Sequence, residues 1–144
     1  MPEQSYANHR QTVFMYHIVL FGILVLTLVG SIVNLVQSFG NHQQLYSASL
    51  ILVLVICCIL IGLFARVFAL KAQDRAIRAE ENLRHYVLTG KLLDSKLSVR
   101  QIIGLRFAAD DEFVALAKRA AEEHLSEDEI KKTIRNWRAD HYRV

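Results

Sequence analysis

The sequence predicts an all-α membrane protein: a two-helix transmembrane hairpin, its second helix extended into the cytosol, followed by a small cytosolic helical domain of about three helices. Three observations predict it. No Asp, Glu, Lys or Arg occurs between residues 11 and 65 of this 144-residue chain. Two long apolar runs, about 17–36 and 48–70, fill most of that stretch and its end. A run of about 20 apolar residues makes a helix about 30 Å long, enough to cross bilayer hydrocarbon. Beyond residue 70 the chain turns to charged, helix-periodic segments without cysteine.

Residues 1–13 form an N-terminal cytosolic segment. Glu3 and Arg10 are its only charges, and it is too short to fold alone. Phe14 and Tyr16 stand where an aromatic belt would meet the interface. The hairpin covers 14–70. Its first helix carries Thr27, Gly30, Ser31 and Asn34 at i, i+3, i+4, i+7, hence on one face. Small residues let helices approach in lipid and polar ones bond across the contact, so this stripe reads as a packing face. The sharper reading is a polar path for a solute, which the lack of any intramembrane charge weakens.

The turn spans 37–46, with Gly40-Asn41 at the reversal. In the second helix Cys58, Gly62 and Ala65 make another small-residue face. Gly22 and Gly62 are equally distant from residue 42, so the two glycines are expected to mark the closest approach. Cys57 and Cys58 are adjacent, which disfavours a mutual disulfide, and they read as small packing residues. The first apolar core is too long for a cleaved signal and no small-x-small site follows it.

Orientation follows from charge. Sixteen of the seventeen Lys and Arg lie at Arg66 or later, Arg10 precedes the first helix, and the turn has none. The positive-inside rule puts both termini in the cytoplasm and the turn outside. The net charge of +3 is too mild to suggest nucleic acid and fits anionic headgroups better.

Residues 71–90 read as a cytosolic extension of the second helix. Asp74 with Arg78 and Glu80 with Arg84 are opposite charges at i, i+4, and Gly90 is a good cap. Lys71, Arg75 and Arg78 make a basic face, either solvated or set against lipid phosphates.

Residues 91–144 form the cytosolic helical domain. Ser98 with Gln101 is a capping box, and Val99, Ile102, Ile103 and Phe107 are expected to face inward. Asp110, Asp111 and Glu112 crowd the start of the next helix, where the dipole favours acids. No histidine or further acid completes a metal set around them. Ser126 with Glu129 opens the last helix. On it Ile130, Ile134 and Trp137 form an apolar stripe, expected to pack on Val99, Ile103, Phe107 and Phe113. Lys131, Arg135 and Arg138 run beside it as a basic stripe for solvent, a membrane surface or a partner.

The chain resembles an uncharacterised bacterial two-pass inner-membrane family, a domain of unknown function. The likeness rests on Pro2-Glu3-Gln4-Ser5-Tyr6-Ala7-Asn8-His9 and on Phe68-Ala69-Leu70-Lys71-Ala72-Gln73-Asp74-Arg75-Ala76-Ile77-Arg78. It also rests on Arg100-Gln101-Ile102-Ile103-Gly104-Leu105-Arg106-Phe107-Ala108-Ala109-Asp110, and on Ile130-Lys131-Lys132 followed by Asn136-Trp137-Arg138-Ala139-Asp140. The resemblance implies an inner-membrane protein with a cytosolic helical tail and supplies no activity.

No nucleotide loop, zinc-protease motif or nucleophile elbow occurs. The expectation is a membrane-anchored helical interaction or scaffold module with no catalytic activity of its own and no cofactor. Its partners would be the lipid bilayer, anionic headgroups, and a protein partner or a homo-oligomer, with no nucleic acid. The alternative is an oligomeric small transport or pore subunit.

Overall fold

The computed structural model describes residues 4–9 and 12–141. Arg10, used above for orientation, and Pro2 and Glu3 of the opening motif lie outside the described residues. Five helices are present and no strand is found among the described residues. They are α1 (Met15–Gln37), α2 (His42–Thr89), α3 (Val99–Leu105), α4 (Asp110–Glu122) and α5 (Glu127–Thr133). Two compact units result. One is Thr12–Ala69, and the other joins the N-terminal residues to Leu70–Val144.

In the first unit α1 and the start of α2 are long and apolar enough to cross a membrane. Their apolar side chains point outward: Leu26 is 74% exposed and Ile61 67%. The apolar stripe of a buried core helix would instead face inward. α1 opens with wide π-type turns over Met15–Leu20, where His17 Nδ1 lies 3.1 Å from the Val13 amide nitrogen. It closes at Ser38, whose hydroxyl donates to the Asn34 carbonyl at 2.7 Å. Gly40, at φ 98°, reverses the chain. The Asn41 side chain then accepts the Gln44 N–H at 3.2 Å and starts α2 at His42, earlier than the expected residue 48.

The buried line between these helices is not the expected one. Leu24, Leu28, Ser31 and Leu35 on α1 are buried or half-buried, as are Ala48, Leu52, Val55, Ile59 and Gly62 on α2. Steps of three and four residues make a coiled-coil-like seam. Of the predicted packing residues, Ser31 and Gly62 lie on it. Gly22, Thr27, Gly30, Asn34 and Cys58 are exposed. At 100° per residue, Thr27, Gly30 and Asn34 sit about a quarter-turn to one side of the seam. A methyl added at Gly22 or Gly30 would meet nothing within 4 Å. Gly62 instead receives aromatics: the Tyr16 hydroxyl donates to its carbonyl, and Phe21 Cζ stands 3.5 Å from where a Cβ would be. The Thr27 hydroxyl donates to Ile23 O at 2.8 Å and that of Ser31 to Leu28 O at 2.8 Å, so each is satisfied within its own helix.

In the second unit, fifteen buried residues form one core, with Leu105, Phe107, Ala108, Phe113, Ala120 and Ile130 at 0% exposure. α2 ends as expected at Thr89, with Gly90 at φ 72°. α3 starts on the Ser98–Gln101 box. Gln101 Nε2 also donates to Ala120 O at 3.1 Å and Leu125 O at 2.9 Å, tying α3 to the end of α4. Val99, expected inside, is 37% exposed. α3 and α5 cross at Gly104, where an added Cβ would lie 3.1 Å from Glu127 O and 3.2 Å from Ile130 Cγ2.

The last helix stops short of Ile134 and Trp137, which were expected on it. α5 opens on the Ser126–Glu129 box but ends at Thr133, and Ile134 is extended at ψ 127°. The cause is non-local. The Glu112 carboxylate takes the N–H of Arg135 at 3.2 Å and of Asn136 at 3.0 Å. Residues 136–138 then run antiparallel to 107–109, with Ala109 N donating to Asn136 O at 3.0 Å and Arg138 N to Phe107 O at 2.7 Å. Amides claimed in this way cannot continue a helix ladder.

Three substitutions test this packing. Gly62→Leu should drive its side chain into Phe21 and cost roughly 1–3 kcal/mol by overpacking, whereas Gly22→Leu should be neutral for the helix pair. Gly104→Ala should cost a comparable amount in the second unit, because backbone and a β-branched side chain block the new methyl. Thermal melting of the purified full chain in detergent reads all three.

Candidate functional site

The second unit carries the charged groups, and most of them are used internally. Glu81 lies on α2 and is only 4% exposed. Its carboxylate meets Arg84 Nη1 at 3.0 Å and Arg138 Nη1 at 3.5 Å. Arg84 also pairs with Asp110 and donates to Ala108 O at 2.7 Å, and its guanidinium lies 4.2 Å from the Phe113 ring centre. A buried carboxylate needs such charge-assisted bonds, since desolvation would otherwise cost several kcal/mol. Arg106, 8% exposed, stacks 4.6 Å from the Phe107 ring centre and pairs with Asp140 at 3.4 Å. These cations join α2, the 107–109 segment and the C-terminal residues.

Across that joint runs the N-terminal segment. Gln4 bonds the Asp140 backbone in both directions: Asp140 N donates to its Oε1 at 2.8 Å, and its Nε2 donates to Asp140 O at 3.3 Å. The Tyr6 hydroxyl donates to Asp128 at 2.6 Å. The His9 ring lies 5.9 Å from Trp137 and 6.0 Å from Phe107, while Phe107 and Trp137 are 5.1 Å apart. Residues 4–9 thus strap α5 to the C-terminal segment. Between strap and helix is an open cleft of about 510 Å³, lined by Tyr6, Ala7, His9, Glu127, Asp128 and Lys131.

The electrostatics of this edge are those of a clamp. The Asp128 carboxyl is held below its ordinary value by the Lys132 ammonium, 2.6 Å away, then by the Tyr6 hydroxyl. Lys132 is correspondingly raised by Asp128. Glu129 is lowered by the backbone and side chain of Ser126. Among the described residues no three His, Cys, Asp or Glu side chains gather to hold a metal ion.

The six predicted contact residues separate into two sets. Lys71, Arg75 and Arg78 are all exposed on one side of α2. Lys131, Arg135 and Arg138 do not form a helical stripe, because only Lys131 is in α5. Lys131 pairs with Glu127 at 2.6 Å, Arg138 reaches Glu81, and the Arg135 side chain is exposed. Trp137 is half-buried on an extended segment, and only its contact with Phe107 matches the expected core. Gln4, Tyr6, His9, Glu81, Arg84 and Arg106 are site residues that the sequence patterns do not mark. Glu81 and Arg84 at i, i+3 were the available local signal, and the strap has no periodicity to read.

The sequence profile of a family of unknown function (DUF6526) matches residues 1–144, and the chain belongs to that family. No curated protein and no solved structure matches it.

Two outcomes are expected at this edge. A carboxyl lowered in the folded state stabilises it above the unfolded value and loses that contribution as pH falls through the folded one. Asp128, ordinarily at 3.8, and Glu129, ordinarily at 4.5, should therefore let the strap and α5 loosen below about pH 4. Lys132 has the opposite sign, and its contribution fades above 10.5. Fluorescence of Trp137, the single tryptophan, should change at the acid limb, and Tyr6→Phe should move that change to higher pH. Trp137→Ala should cost about 2 kcal/mol, roughly half of a fully buried Trp truncation, and should free the strap without unfolding the core.

Proposed function

We propose that this family member is a membrane-anchored helical interaction or scaffold module of the bacterial inner membrane. In this reading α1 and the first part of α2 cross the bilayer as a hairpin, with both termini cytoplasmic. The observation that carries it is the strap. Residues before the first apolar helix bond to residues at the far end of the chain, Gln4 to Asp140 and Tyr6 to Asp128. Groups in hydrogen-bond contact share one side of a membrane, so the intervening chain must cross an even number of times. Two apolar helices supply two crossings. The Lys and Arg excess after residue 65 favours the cytoplasmic side for that unit.

The scaffold reading draws on how the unit spends its chemistry. Its buried ionic groups, Glu81, Arg84 and Arg106, join segments of the fold to one another. The exposed side of the α2 extension includes a basic face and apolar side chains: Lys71, Arg75, Arg78, Leu83 and Val87. Near a bilayer each such cation attracts anionic headgroups by about 1 kcal/mol. The pore reading keeps one supporting observation, the exposed Thr27–Gly30–Asn34 stripe. The Thr27 hydroxyl, already bonded to its own backbone, weakens it.

The test uses the full chain with Cys57 and Cys58 changed to Ser. His42→Cys should react with an impermeant maleimide on intact cells, and Lys118→Cys only after lysis. The reverse pattern would overturn the topology. Reconstituted vesicles should stay tight to ions and small solutes, and reproducible flux would favour the pore subunit over the scaffold.

A further inference from the structure

We infer that the α2 extension is a self-association surface that pairs, parallel and in register, with the same helix of a second copy of this chain. The face concerned points away from the core of its unit. Ile77 and Glu81, at 6% and 4% exposure, mark the inward side of α2. On the opposite side Ala72, Ala76, Ala79, Leu83 and Tyr86 are all exposed, Leu83 by 63% and Tyr86 by 54%. Their steps of four, three, four and three residues place them at alternating core positions of a heptad repeat. Three alanines followed by two large side chains give a seam narrow at one end and apolar throughout.

Charge selects the occupant. In a parallel coiled coil the residue just before a core position faces, on the partner, the residue five places further along. Arg75 and Glu80 are those two residues, and both are exposed. They flank the seam on opposite sides, so a second copy would present Glu80 to Arg75 and Arg75 to Glu80. The other flanking positions along this seam, Gln73, Asn82 and Val87, carry no charge to oppose the pairing. A surface that complements itself across a two-fold axis fits its own copy. Register needs no further device. The inference rests on the membrane-anchored reading: two copies with one topology send α2 out of the bilayer in the same direction at the same residue. Confinement to a membrane also raises the effective concentration of one copy for another.

Single cysteines in the full chain, on the Cys57→Ser/Cys58→Ser background in native membranes, test the pairing by mild oxidation. Ala76→Cys, Ala79→Cys and Leu83→Cys should give disulfide dimers, whereas Arg78→Cys, about a third of a turn away, should not. Arg75→Glu on the Ala79→Cys chain should lower the dimer at least about fivefold, the population change of ~1 kcal/mol. Adding Glu80→Arg should restore it. Equal cross-linking at all four positions, no cross-linking, or failure of the charge swap to rescue would overturn the proposal. So would protection of residues 76, 79 and 83 from maleimide by lipid alone, which would make the face a bilayer contact. Alkaline extraction of the same membranes separates the two readings. A chain that pellets with the membrane but shows no positional pattern refutes the dimer alone. A chain that is extracted refutes the anchor.

Discussion

The short antiparallel pairing of residues 136–138 with 107–109 is the constraint on which the second unit depends. Once Glu112 has taken the Arg135 and Asn136 amides, two backbone bonds, Ala109 to Asn136 and Arg138 to Phe107, turn the chain back over the core beyond the end of α5 at Thr133. Everything at the charged edge follows from that return. It sets Trp137 on Phe107, brings Arg138 to the buried Glu81, and presents the Asp140 backbone to Gln4. Were α5 to run on as a helix, Arg138 and Asp140 would leave on other faces, and neither Glu81 nor the N-terminal strap would keep its partners. Removing one partner from a buried ion costs more than the pair contributes, so these contacts stand or fall together.

The first unit obeys a different rule. With no charge between residues 11 and 65 it has few groups that water would hold outside a bilayer. The hydroxyls of Thr27, Ser31 and Ser38 donate to carbonyls of their own helix. On the proposed reading this leaves hydrocarbon facing an almost wholly apolar surface. The two helices meet through side chains on a seam, with Tyr16 and Phe21 against Gly62, instead of through paired glycines.

Local features were legible in the sequence. The boxes at Ser98 and Ser126, the glycine stop at residue 90 and the reversal at Gly40 each involve groups within a few residues, and each is present. The misreadings share one cause, a distant competitor. Periodicity carried α5 through Ile134 and Trp137 because nothing local reveals that Glu112 claims two amides beyond Thr133. Within one chain the Thr27, Gly30 and Asn34 positions are exposed, and the larger Leu24, Leu28 and Leu35 flank Ser31 on the seam. The close approach of Gly104 to Glu127 exists only after folding and leaves no local pattern in the sequence. The strap residues lie far in sequence from Asp128 and Asp140, and no pattern within residues 4–9 points to them.

Hydrogen exchange of the full chain in detergent micelles tests the central claim most directly. If the returning segment is integral to the fold, the amides of Ala109 and Arg138 should exchange as slowly as those of α3, opening only with the whole unit. Rapid exchange of Arg138 beside a protected α3 would contradict the account, showing a frayed tail that can anchor neither Glu81 nor the strap.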